Sequence, residues 1–456
     1  MFSTDDTVVA IATPPGRGGI GVVRISGPSA LAIAGSLIDR TAPLEARQAT
    51  VARVLGRTGA GDDARDEVVA TFFPSPRSYT GEHVVEISAH GSPVVLQAIV
   101  RAAIDAGARL AEPGEFTLRA FLNGKRDLVQ AEAVADLIDA ATPLQARVAF
   151  DQLDGTLTRR ILAIDGALFD LIARLEASLD FPDEGYHFIE PAETARAIGA
   201  IEGELGGLLA GAAQGRMIRE GATVVIAGRT NVGKSSIFNV LAGSDRAIVT
   251  AVAGTTRDLV TERVDINGLA ATIVDTAGWR ETLDEVEREG VARAVQARSV
   301  ADLLVLVLDR SEAMGEEDLE LLAQTAGPRR IVVLNKSDCP PAFEGVRLGS
   351  DAAASIHVSA KTGAGIAELR RAIVRELTGG ECLRDTAAIS NTRHIALLER
   401  AGARLAAARA AADAGTPEEF VLADLQAARA GLEEIVGTRT SDDLLQHIFE
   451  RFCIGK

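Results

Sequence analysis

The first 122 residues of this 456-residue chain alternate short apolar runs and glycine-rich turns with two longer amphipathic segments. Short apolar runs bounded by turn residues are typical of strands, and apolar residues spaced three and four apart are typical of helices. Strands are predicted over residues 8–11, 19–25, 67–73 and 83–88, and helices over 28–38 and 93–106. Residues 1–122 are therefore predicted to form a small α/β domain.

One loop of this domain, Thr13-Pro-Pro-Gly-Arg-Gly-Gly-Ile-Gly21, combines two prolines with four glycines. The prolines stiffen its entry, and the glycines permit a close approach of the backbone to a ligand or a second chain. The loop lacks the Gly-x-Gly-x-x-Gly spacing of a dinucleotide-binding turn. Two interpretations stay open, a tight hairpin connection and a binding loop.

From residue 128 the pattern becomes helical, because alanine and leucine dominate and apolar residues recur at helical spacing. Helices are predicted over 131–141, 161–179 and 193–218, with a break at Phe181-Pro-Asp-Glu-Gly-Tyr-His187, and again over 394–412, 418–436 and 441–452. Helical blocks on both sides of a compact segment predict one discontinuous helical domain. It consists of residues 123–219 and 381–456, and the segment 220–380 is inserted into it.

The inserted segment alternates strand-like and helical patterns. Strands predicted over 223–227, 269–274, 303–308, 331–334 and 355–358 have helices between them, which indicates a mostly parallel sheet covered on both faces. The chain as a whole is thus expected to be a multidomain protein with α/β and all-α parts. Ligands of parallel sheets bind at the carboxyl ends of the strands, so the motifs at those ends carry the function.

The strand predicted at 223–227 leads into Gly228-Arg-Thr-Asn-Val-Gly-Lys-Ser235, which matches the phosphate-binding pattern Gly-x4-Gly-Lys-Ser/Thr. Phosphate oxygens need several converging donors. Glycines let the backbone amides curl around them, the following helix adds its positive end, and Lys234 adds a charge. Ser235 offers a hydroxyl to Mg²⁺. The alternative is a chance match in a glycine-rich chain, so the downstream motifs decide between the two.

Three further motifs follow in the order that a guanine nucleotide requires. Asp275-Thr-Ala-Gly278 offers a carboxylate for Mg²⁺ and an amide for the γ-phosphate. Asn335-Lys-Ser-Asp338 offers a carboxylate to the N1 and N2 hydrogens of guanine, which adenine lacks, and Ser359-Ala-Lys361 adds a base contact. Each motif alone could be a turn or a helix cap. Together, at successive strand ends, they predict GTP binding.

Charge and composition limit the partners. A formal net charge of −17 and an isoelectric point near 4.9 argue against unspecific coating of nucleic acid, so any RNA contact is expected to be local or shared with a partner. Three scattered cysteines, Cys339, Cys382 and Cys453, are too few for a disulfide framework. No apolar run reaches the roughly 18 residues of a membrane span and no leader-like segment begins the chain, so a cytoplasmic location without a membrane partner is expected.

The loop Gly254-Thr-Thr-Arg-Asp258 makes the central segment resemble the potassium-activated GTPases of the TrmE-Era-EngA-YihA-Septin-like superfamily, which have a Ras-like P-loop G domain. Motifs along the whole chain resemble the MnmE (TrmE) family of tRNA-modification GTPases. They are Ala12-Thr-Pro-Pro-Gly-Arg-Gly-Gly19, Pro113-Gly-Glu-Phe-Thr117, Phe121-Leu-Asn123, Phe181-Pro-Asp-Glu184 and the terminal Phe452-Cys-Ile-Gly-Lys456.

The resemblance implies a set of residues that bind GTP and its ions. The nucleotide-binding residues would be Asn231, Val232, Gly233, Lys234, Ser235, Ser236, Thr250, Ala251, Val252, Ala253, Gly254, Thr255, Thr256, Asp275, Thr276, Ala277, Gly278, Asn335, Lys336, Asp338, Ser359, Ala360 and Lys361. Mg²⁺ would be held by Ser235 and Thr256, and K⁺ by Asn231, Thr250, Val252 and Thr255. Without the resemblance, Asn231 is equally well an ordinary loop residue.

Trp279 follows the Asp-x-x-Gly motif, where Ras-like enzymes have a glutamine that orients the attacking water. An indole cannot place that water, so another group must stabilise the transition state. The resemblance implies that K⁺ takes the place of an arginine finger, that Glu287 orients the water, and that Arg280 stabilises the switch. Position alone does not separate Glu287 from Glu285 and Glu289, since each could be a solvated acid at a helix start.

The N-terminal domain, by the same resemblance, forms a constitutive homodimer and binds 5-formyl- or 5,10-methylene-tetrahydrofolate. The G domains would pair in a nucleotide-dependent manner. Matching folate residues are Arg24, Glu86, Lys125 and Lys456, because a carboxylate suits the pterin edge and basic groups suit the glutamate tail. Without the resemblance, Arg24 and Glu86 are interpreted as exposed ends of strands.

Cys453 has three possible roles. Its position four residues from the end imitates a prenylation signal, but Gly455 and Lys456 do not suit that motif. A lone cysteine on an amphipathic helix usually packs. The resemblance adds a possible catalytic role.

The reaction that the resemblance implies is installation of a carboxymethylaminomethyl or aminomethyl group at carbon 5 of the wobble uridine of certain tRNAs, together with the FAD-dependent protein MnmG. Folate would supply the carbon, and glycine or ammonium the amine. The alternative is a GTP-driven RNA or ribosome assembly switch, but such relatives usually carry a basic RNA-binding module. An inert scaffold is disfavoured by the intact Lys234, Ser235, Thr256 and Asp275.

Overall fold

The computed structural model describes residues 5–54, 66–180, 190–243, 260–275, 301–326, 329–343, 355–380 and 389–456. The chain divides into two compact units. Unit one comprises Met1–Ala135, Thr158–Asp165 and Arg429–Lys456, and unit two comprises Asp136–Leu157 and Gly166–Ala428. No described helix is both long enough and apolar enough for a membrane span.

Unit one contains a six-stranded sheet with the order β3-β4-β5-β2-β1-β6. Its strands are β1 (Val8–Ile11), β2 (Gly18–Ser26), β3 (Thr50–Arg53), β4 (Glu67–Phe73), β5 (Val84–Gly91) and β6 (Arg109–Leu110). Neighbours pair antiparallel, except that β1 and β6 are parallel. The helices α1 (Ala30–Leu37) and α2 (Pro93–Asp105) bury Ile33 and Ile99 in one core with Val23, Ile25 and Ile87 of the sheet. The predicted α/β fold of this N-terminal region is confirmed.

Helix α3 (Glu115–Leu122) packs against the C-terminal helix α14 (Asp442–Phe449) in unit one. Gly114 begins α3 with φ of 70°, and a Cβ there would lie 2.7 Å from the carbonyl oxygen of Phe449. The C-terminal segment lies close to β1, since a Cβ at Gly455 would lie 2.2 Å from the backbone oxygen of Ile11, the last residue of that strand. Two glycines thus allow the C-terminal segment to lie tightly against the N-terminal fold.

Arg119 on α3 is the most buried cation among the described residues of unit one, with 1% of its surface exposed. It lies 2.9 Å from a carboxylate oxygen of Glu115, 3.2 Å from one of Glu82 and 2.5 Å from one of Asp6. Burial disfavours the charge of Glu115, but hydrogen bonds from Arg109 and Arg119 outweigh it and hold the pKa of Glu115 below its ordinary value. The buried guanidinium depends on these carboxylates, because an unpaired buried charge is costly.

Glu115→Gln is expected to lower the free energy of unfolding by about 3 kcal/mol near neutral pH, since it removes one partner of a buried cation. A folded-state pKa below the ordinary 4.5 means that this stabilisation is present above 4.5 and is lost as the pH falls through the lowered value. Urea unfolding at neutral and acidic pH measures the difference. The gap should close in acid, and Glu45→Gln at an exposed site should show none.

Unit two contains a second six-stranded sheet, with the order β12-β11-β10-β7-β9-β8. Its strands are β7 (Ala222–Ala227), β8 (Val260–Ile266), β9 (Leu269–Asp275), β10 (Leu303–Asp309), β11 (Arg330–Asn335) and β12 (Ile356–His357). All neighbours are parallel except β8 and β9. Alternate residues of β10 enter two separate cores, Val305 in one and Leu304 in the other. The mostly parallel sheet with both faces covered is confirmed.

Three described helices flank this sheet in the chain, α9 (Lys234–Gly243), α10 (Glu316–Gln324) and α11 (Ile366–Thr378). The remaining helices of the chain are α4 (Leu128–Asp139), α5 (Pro143–Leu153), α6 (Thr156–Asp180), α7 (Pro191–Leu209), α8 (Ala212–Glu220), α12 (Thr392–Asp413) and α13 (Glu418–Val436). In unit two, α7 and α12 pack along one another although they are far apart in the chain, and Glu202 pairs with Arg409, 207 positions away, at 2.7 Å.

The prediction of one helix over 193–218 is wrong, because the structure has two helices, α7 and α8. Gly211 caps the start of α8 with non-helical backbone angles. Gly206 and Gly207 precede it, and each interior glycine weakens a helix by about 1 kcal/mol relative to alanine. The predicted break over 181–187 lies outside the described residues.

Candidate functional site

The candidate nucleotide site lies at the carboxyl ends of four neighbouring strands of unit two. The phosphate loop follows β7, Asp275 ends β9, Asp309 ends β10, and Asn335 ends β11. Since parallel strands present these ends at one edge of the sheet, residues far apart in the chain become neighbours.

The phosphate loop has a backbone that requires its glycines. Gly228 and Gly233 have φ of 150° and 96°, and Asn231 between them has φ of 65°, a left-handed conformation that asparagine tolerates better than most residues. A Cβ at Gly228 would lie 2.4 Å from the carbonyl oxygen of Val307. The loop therefore lies too close to β10 for any side chain at this glycine.

Lys234 at the start of α9 is held over this loop. Its Nζ donates to the carbonyl oxygens of Gly228 at 2.9 Å and Arg229 at 2.7 Å, and only 8% of the residue is exposed. The ammonium group is thus fixed at the amino end of α9, where anions are favoured. Of the other predicted loop residues, Val232 is buried and Ser236 is exposed.

A hydroxyl and a carboxylate meet beside the loop. Ser235 Oγ donates to Asp275 Oδ2 at 2.8 Å, which joins the start of α9 to the end of β9. Hydroxyl and carboxylate oxygens are the ligands that Mg²⁺ prefers, usually with water and phosphate oxygens completing the set. These two residues therefore fit a magnesium site at the nucleotide phosphates.

Asn335 joins three motifs through one side-chain amide. Its Nδ2 donates to the carbonyl oxygen of Val232 at 2.8 Å, and its Oδ1 accepts from the backbone amide of Ala360 at 3.2 Å. The phosphate loop and the two predicted base-binding segments are thus tied together. The sequence identified each motif, but not these bonds.

Asp338 is exposed and oriented by Ser359. The Ser359 hydroxyl donates to Asp338 Oδ1 at 2.7 Å, and this hydrogen bond holds the pKa of Asp338 below its ordinary value. A carboxylate that stays ionised can accept both N–H groups of the guanine edge. Lys361 in the same segment is exposed. This arrangement suits recognition of guanine.

Asp309 is a residue of the site that belongs to none of the predicted motifs. It lies 2.5 Å from the Nζ of Lys336, which has a left-handed backbone with φ of 61°. Burial alone would raise the pKa of Asp309, but hydrogen bonds from Lys336 and Ser311 outweigh it and lower the pKa. One feature of the sequence indicates Asp309 as a site residue. It is the first charged residue after the apolar run of β10, at the end where ligands bind.

Several predicted residues lie outside the described part of the chain, and the structure places none of them. They are Thr250, Ala251, Val252, Ala253, Gly254, Thr255, Thr256, Thr276, Ala277, Gly278, Arg280 and Glu287, together with Trp279 and Cys382.

A second cluster of predicted residues lies in unit one. Arg24 on β2 and Glu86 on β5 are opposite one another in register, and Arg24 Nε donates to Glu86 Oε1 at 2.9 Å. Arg24 is 9% exposed, so its interpretation as an exposed strand end is wrong. The pKa of Lys456 is lowered, first by burial and then by the nearby charges of Arg24 and Arg126.

The other residues of this region are more accessible. Lys125 and Cys453 are exposed. The backbone oxygen of Cys453 accepts from the amides of Gly114 at 3.4 Å and Lys456 at 3.2 Å. The loop that begins at Thr13 connects the antiparallel strands β1 and β2, as the hairpin interpretation requires.

The parallel sheet and the ordered motifs at its strand ends define a P-loop protein of the GTP-binding class. Two family models match the chain, "MnmE helical domain" over residues 128–453 and "GTP-binding protein TrmE N-terminus" over residues 7–125. The tRNA modification GTPase MnmE of Koribacter versatilis is 45% identical over 465 residues, which cover 100% of both chains. That of Thiobacillus denitrificans is 44% identical over 451 residues and covers 99% of this chain and 98% of its own. The chain belongs to the MnmE family of tRNA modification GTPases.

Membership of this family makes the chain an enzyme, a GTP hydrolase that acts in tRNA modification. Among solved structures, the G domain of the T. maritima FeoB iron transporter is similar over 34% of this chain and 98% of its own, at 24% identity. The TM-score of 0.27 is too low to carry any conclusion about this chain.

Proposed function

We propose that this chain is a potassium-activated GTPase that, with the FAD-dependent protein MnmG, adds a carboxymethylaminomethyl or aminomethyl group to carbon 5 of the wobble uridine of certain tRNAs. The full-length match at 45% identity carries this proposal, because it spans the N-terminal, helical and nucleotide-binding regions together. We assign residues 1–122 to a dimerisation and folate-binding domain, 123–219 and 381–456 to the helical domain, and 220–380 to the G domain, in a cytoplasmic protein.

In the G domain, Lys234 and the loop amides bind the phosphates, and Ser235 with Thr256 holds Mg²⁺. Asp338 reads guanine, and Lys336 is kept in place by Asp309. The ion pair of 2.5 Å between these two residues supports this role, since a fixed lysine stem offers an apolar surface to the base. The remaining nucleotide-binding residues are those named from the sequence.

For hydrolysis, Asn231, Thr250, Val252 and Thr255 hold K⁺, and Glu287 orients the attacking water. Bound K⁺ supplies positive charge where other GTPases use an arginine finger. The left-handed backbone of Asn231 supports its assignment, because a strained conformation at a non-glycine residue often marks a functional position.

The folate site of the proposal contains Arg24, Glu86, Lys125 and Lys456. Folate supplies the one-carbon unit of the reaction. The chemistry of the residues fits such a ligand, since one carboxylate and several cations can meet a pterin edge and an anionic tail. Cys453 is exposed beside Lys456, and its chemical role stays open to test by Cys453→Ser.

The homodimer of the proposal forms through unit one. Val51 on β3 and Val69 on β4 form a cross-strand pair, yet they are 64% and 38% exposed. Ile20 on β2 is 70% exposed. Exposed apolar side chains on a sheet support burial against a second copy.

Reconstitution with purified components tests this function. The chain, MnmG, tRNA, a tetrahydrofolate donor, glycine or ammonium, and GTP are combined, and the tRNA is digested for nucleoside mass analysis. We expect a modified wobble uridine only in the complete mixture. Equal modification in a mixture without this chain would refute the proposal.

A further inference from the structure

Cationic side chains gather in unit one around the ring of Tyr79. The guanidinium carbon of Arg24 lies 4.9 Å from the ring centroid, and that of Arg126 lies 5.1 Å from it. Lys456 follows Gly455, whose carbonyl oxygen accepts from Arg24 Nη1 at 3.2 Å, and the charges of Arg24 and Arg126 add to burial in lowering the pKa of its ammonium group. Two guanidinium groups at one ring and the ammonium group of Lys456 in the same region, with Glu86 paired to Arg24, favour an anionic ligand.

Arg24 differs from the other two cations, because each of its nitrogens already has a partner in unit one. Its Nε donates to Glu86 Oε1 at 2.9 Å, its Nη2 lies 2.8 Å from the same oxygen, and its Nη1 donates to the carbonyl oxygen of Gly455 at 3.2 Å. A guanidinium has five N–H donors in one plane, and these contacts involve all three nitrogens of Arg24. Arg24 therefore holds the C-terminal segment in place.

Arg126 differs from Arg24 in this respect. Within the described part of the chain it has no carboxylate or carbonyl partner, and its contact is with the face of Tyr79. Its neighbours fix its backbone: the amide of Lys125 bonds back to α3 at 2.8 Å, and Asp127 caps α4 by accepting from the amide of Gln130 at 2.8 Å. A guanidinium stacked on an aromatic ring keeps its N–H edges available for a ligand.

We propose that Arg126, with Lys456, forms an anion subsite that binds a carboxylate of the glutamyl tail of tetrahydrofolate, whereas Arg24 positions the C-terminus. This inference rests on the folate site of the proposed function. A planar guanidinium binds a carboxylate through two parallel N–H···O bonds, and the ammonium group of Lys456 adds a second charge. The two arginines are given different roles because Arg24 already has polar partners, whereas Arg126 contacts the ring of Tyr79.

Isothermal titration calorimetry of the full chain with two ligands tests this assignment. One ligand is 5-formyl-tetrahydrofolate, and the other is its analogue in which a methylamide replaces the glutamyl residue and which therefore lacks both tail carboxylates. Arg126→Gln should weaken binding of the first about tenfold, because it removes a charge-assisted contact. Binding of the methylamide should stay within about twofold. Arg126→Lys keeps the charge but not the planar fork. Its affinity for 5-formyl-tetrahydrofolate should lie between those of the unsubstituted chain and Arg126→Gln.

Arg101→Gln, at an exposed position on α2, is the matched control for loss of one positive charge and should leave both affinities unchanged. Equal weakening of both ligands by Arg126→Gln, or no weakening of either, would overturn the subsite. If the unsubstituted chain binds neither ligand, both the subsite and the folate part of the proposed function fail. Failure of the subsite alone is thus distinguishable from failure of the whole folate site.

Discussion

Gly233→Ala is expected to weaken GTP binding by at least about a hundredfold. Gly233 has φ of 96°, and a Cβ there would lie 2.2 Å from Nδ2 of Asn335. That amide donates to the carbonyl oxygen of Val232, and its oxygen accepts from the amide of Ala360. A methyl group would thus displace the side chain that connects the phosphate loop to the base-binding segments, in addition to straining the backbone.

Titration with a fluorescent guanine nucleotide measures this loss, and circular dichroism checks that the variant is folded. Gly243→Ala is the matched control, since a Cβ at this last residue of α9 would meet no atom within 4 Å. The control should bind GTP as the unsubstituted chain does. A dissociation constant for Gly233→Ala within about threefold of the unsubstituted value would contradict the described loop geometry.

Glu287→Ala is expected to lower the rate of GTP hydrolysis by about a hundredfold or more while leaving GTP affinity largely intact, because a water-orienting group acts mainly in the transition state. Trp279 occupies the position of the usual glutamine, so another group must orient the water, and Glu287 is the proposed one. Single-turnover hydrolysis in potassium buffer measures the rate. Replacing potassium by sodium should slow the unsubstituted chain.

Glu285→Ala and Glu289→Ala are the controls for Glu287→Ala, since each removes one carboxylate from the same acidic segment. Both should hydrolyse GTP at the unsubstituted rate. A normal single-turnover rate in Glu287→Ala would remove this residue from the mechanism, and equal rates in potassium and sodium would remove the cation.

The strands of the G-domain sheet could be predicted wherever both faces are buried. Residues 303–308 of β10 are all apolar, so this run predicts a buried strand even when its neighbouring strands are not known. Strand β8 was not predicted, because Glu262, Arg263 and Asp265 interrupt its apolar pattern. Among the described strands it lies at the edge and pairs with β9 alone, and an edge strand tolerates such residues.

The motifs of the site could be predicted, but their connections could not. The bond from Asn335 to Val232 joins residues 103 positions apart, and the one from Arg24 to Gly455 joins residues 431 apart. Such contacts depend on which strands are neighbours and where the C-terminus lies. The same long-range packing buries Arg24, which local pattern alone would leave at the surface.

Nucleoside mass analysis of tRNA from cells that lack this chain tests most directly whether its GTP hydrolysis supports wobble-uridine modification. Such cells should contain unmodified wobble uridine, the unsubstituted chain should restore the modification, and Gly233→Ala and Glu287→Ala should not. Fully modified wobble uridine in the cells without the chain would contradict the proposed function.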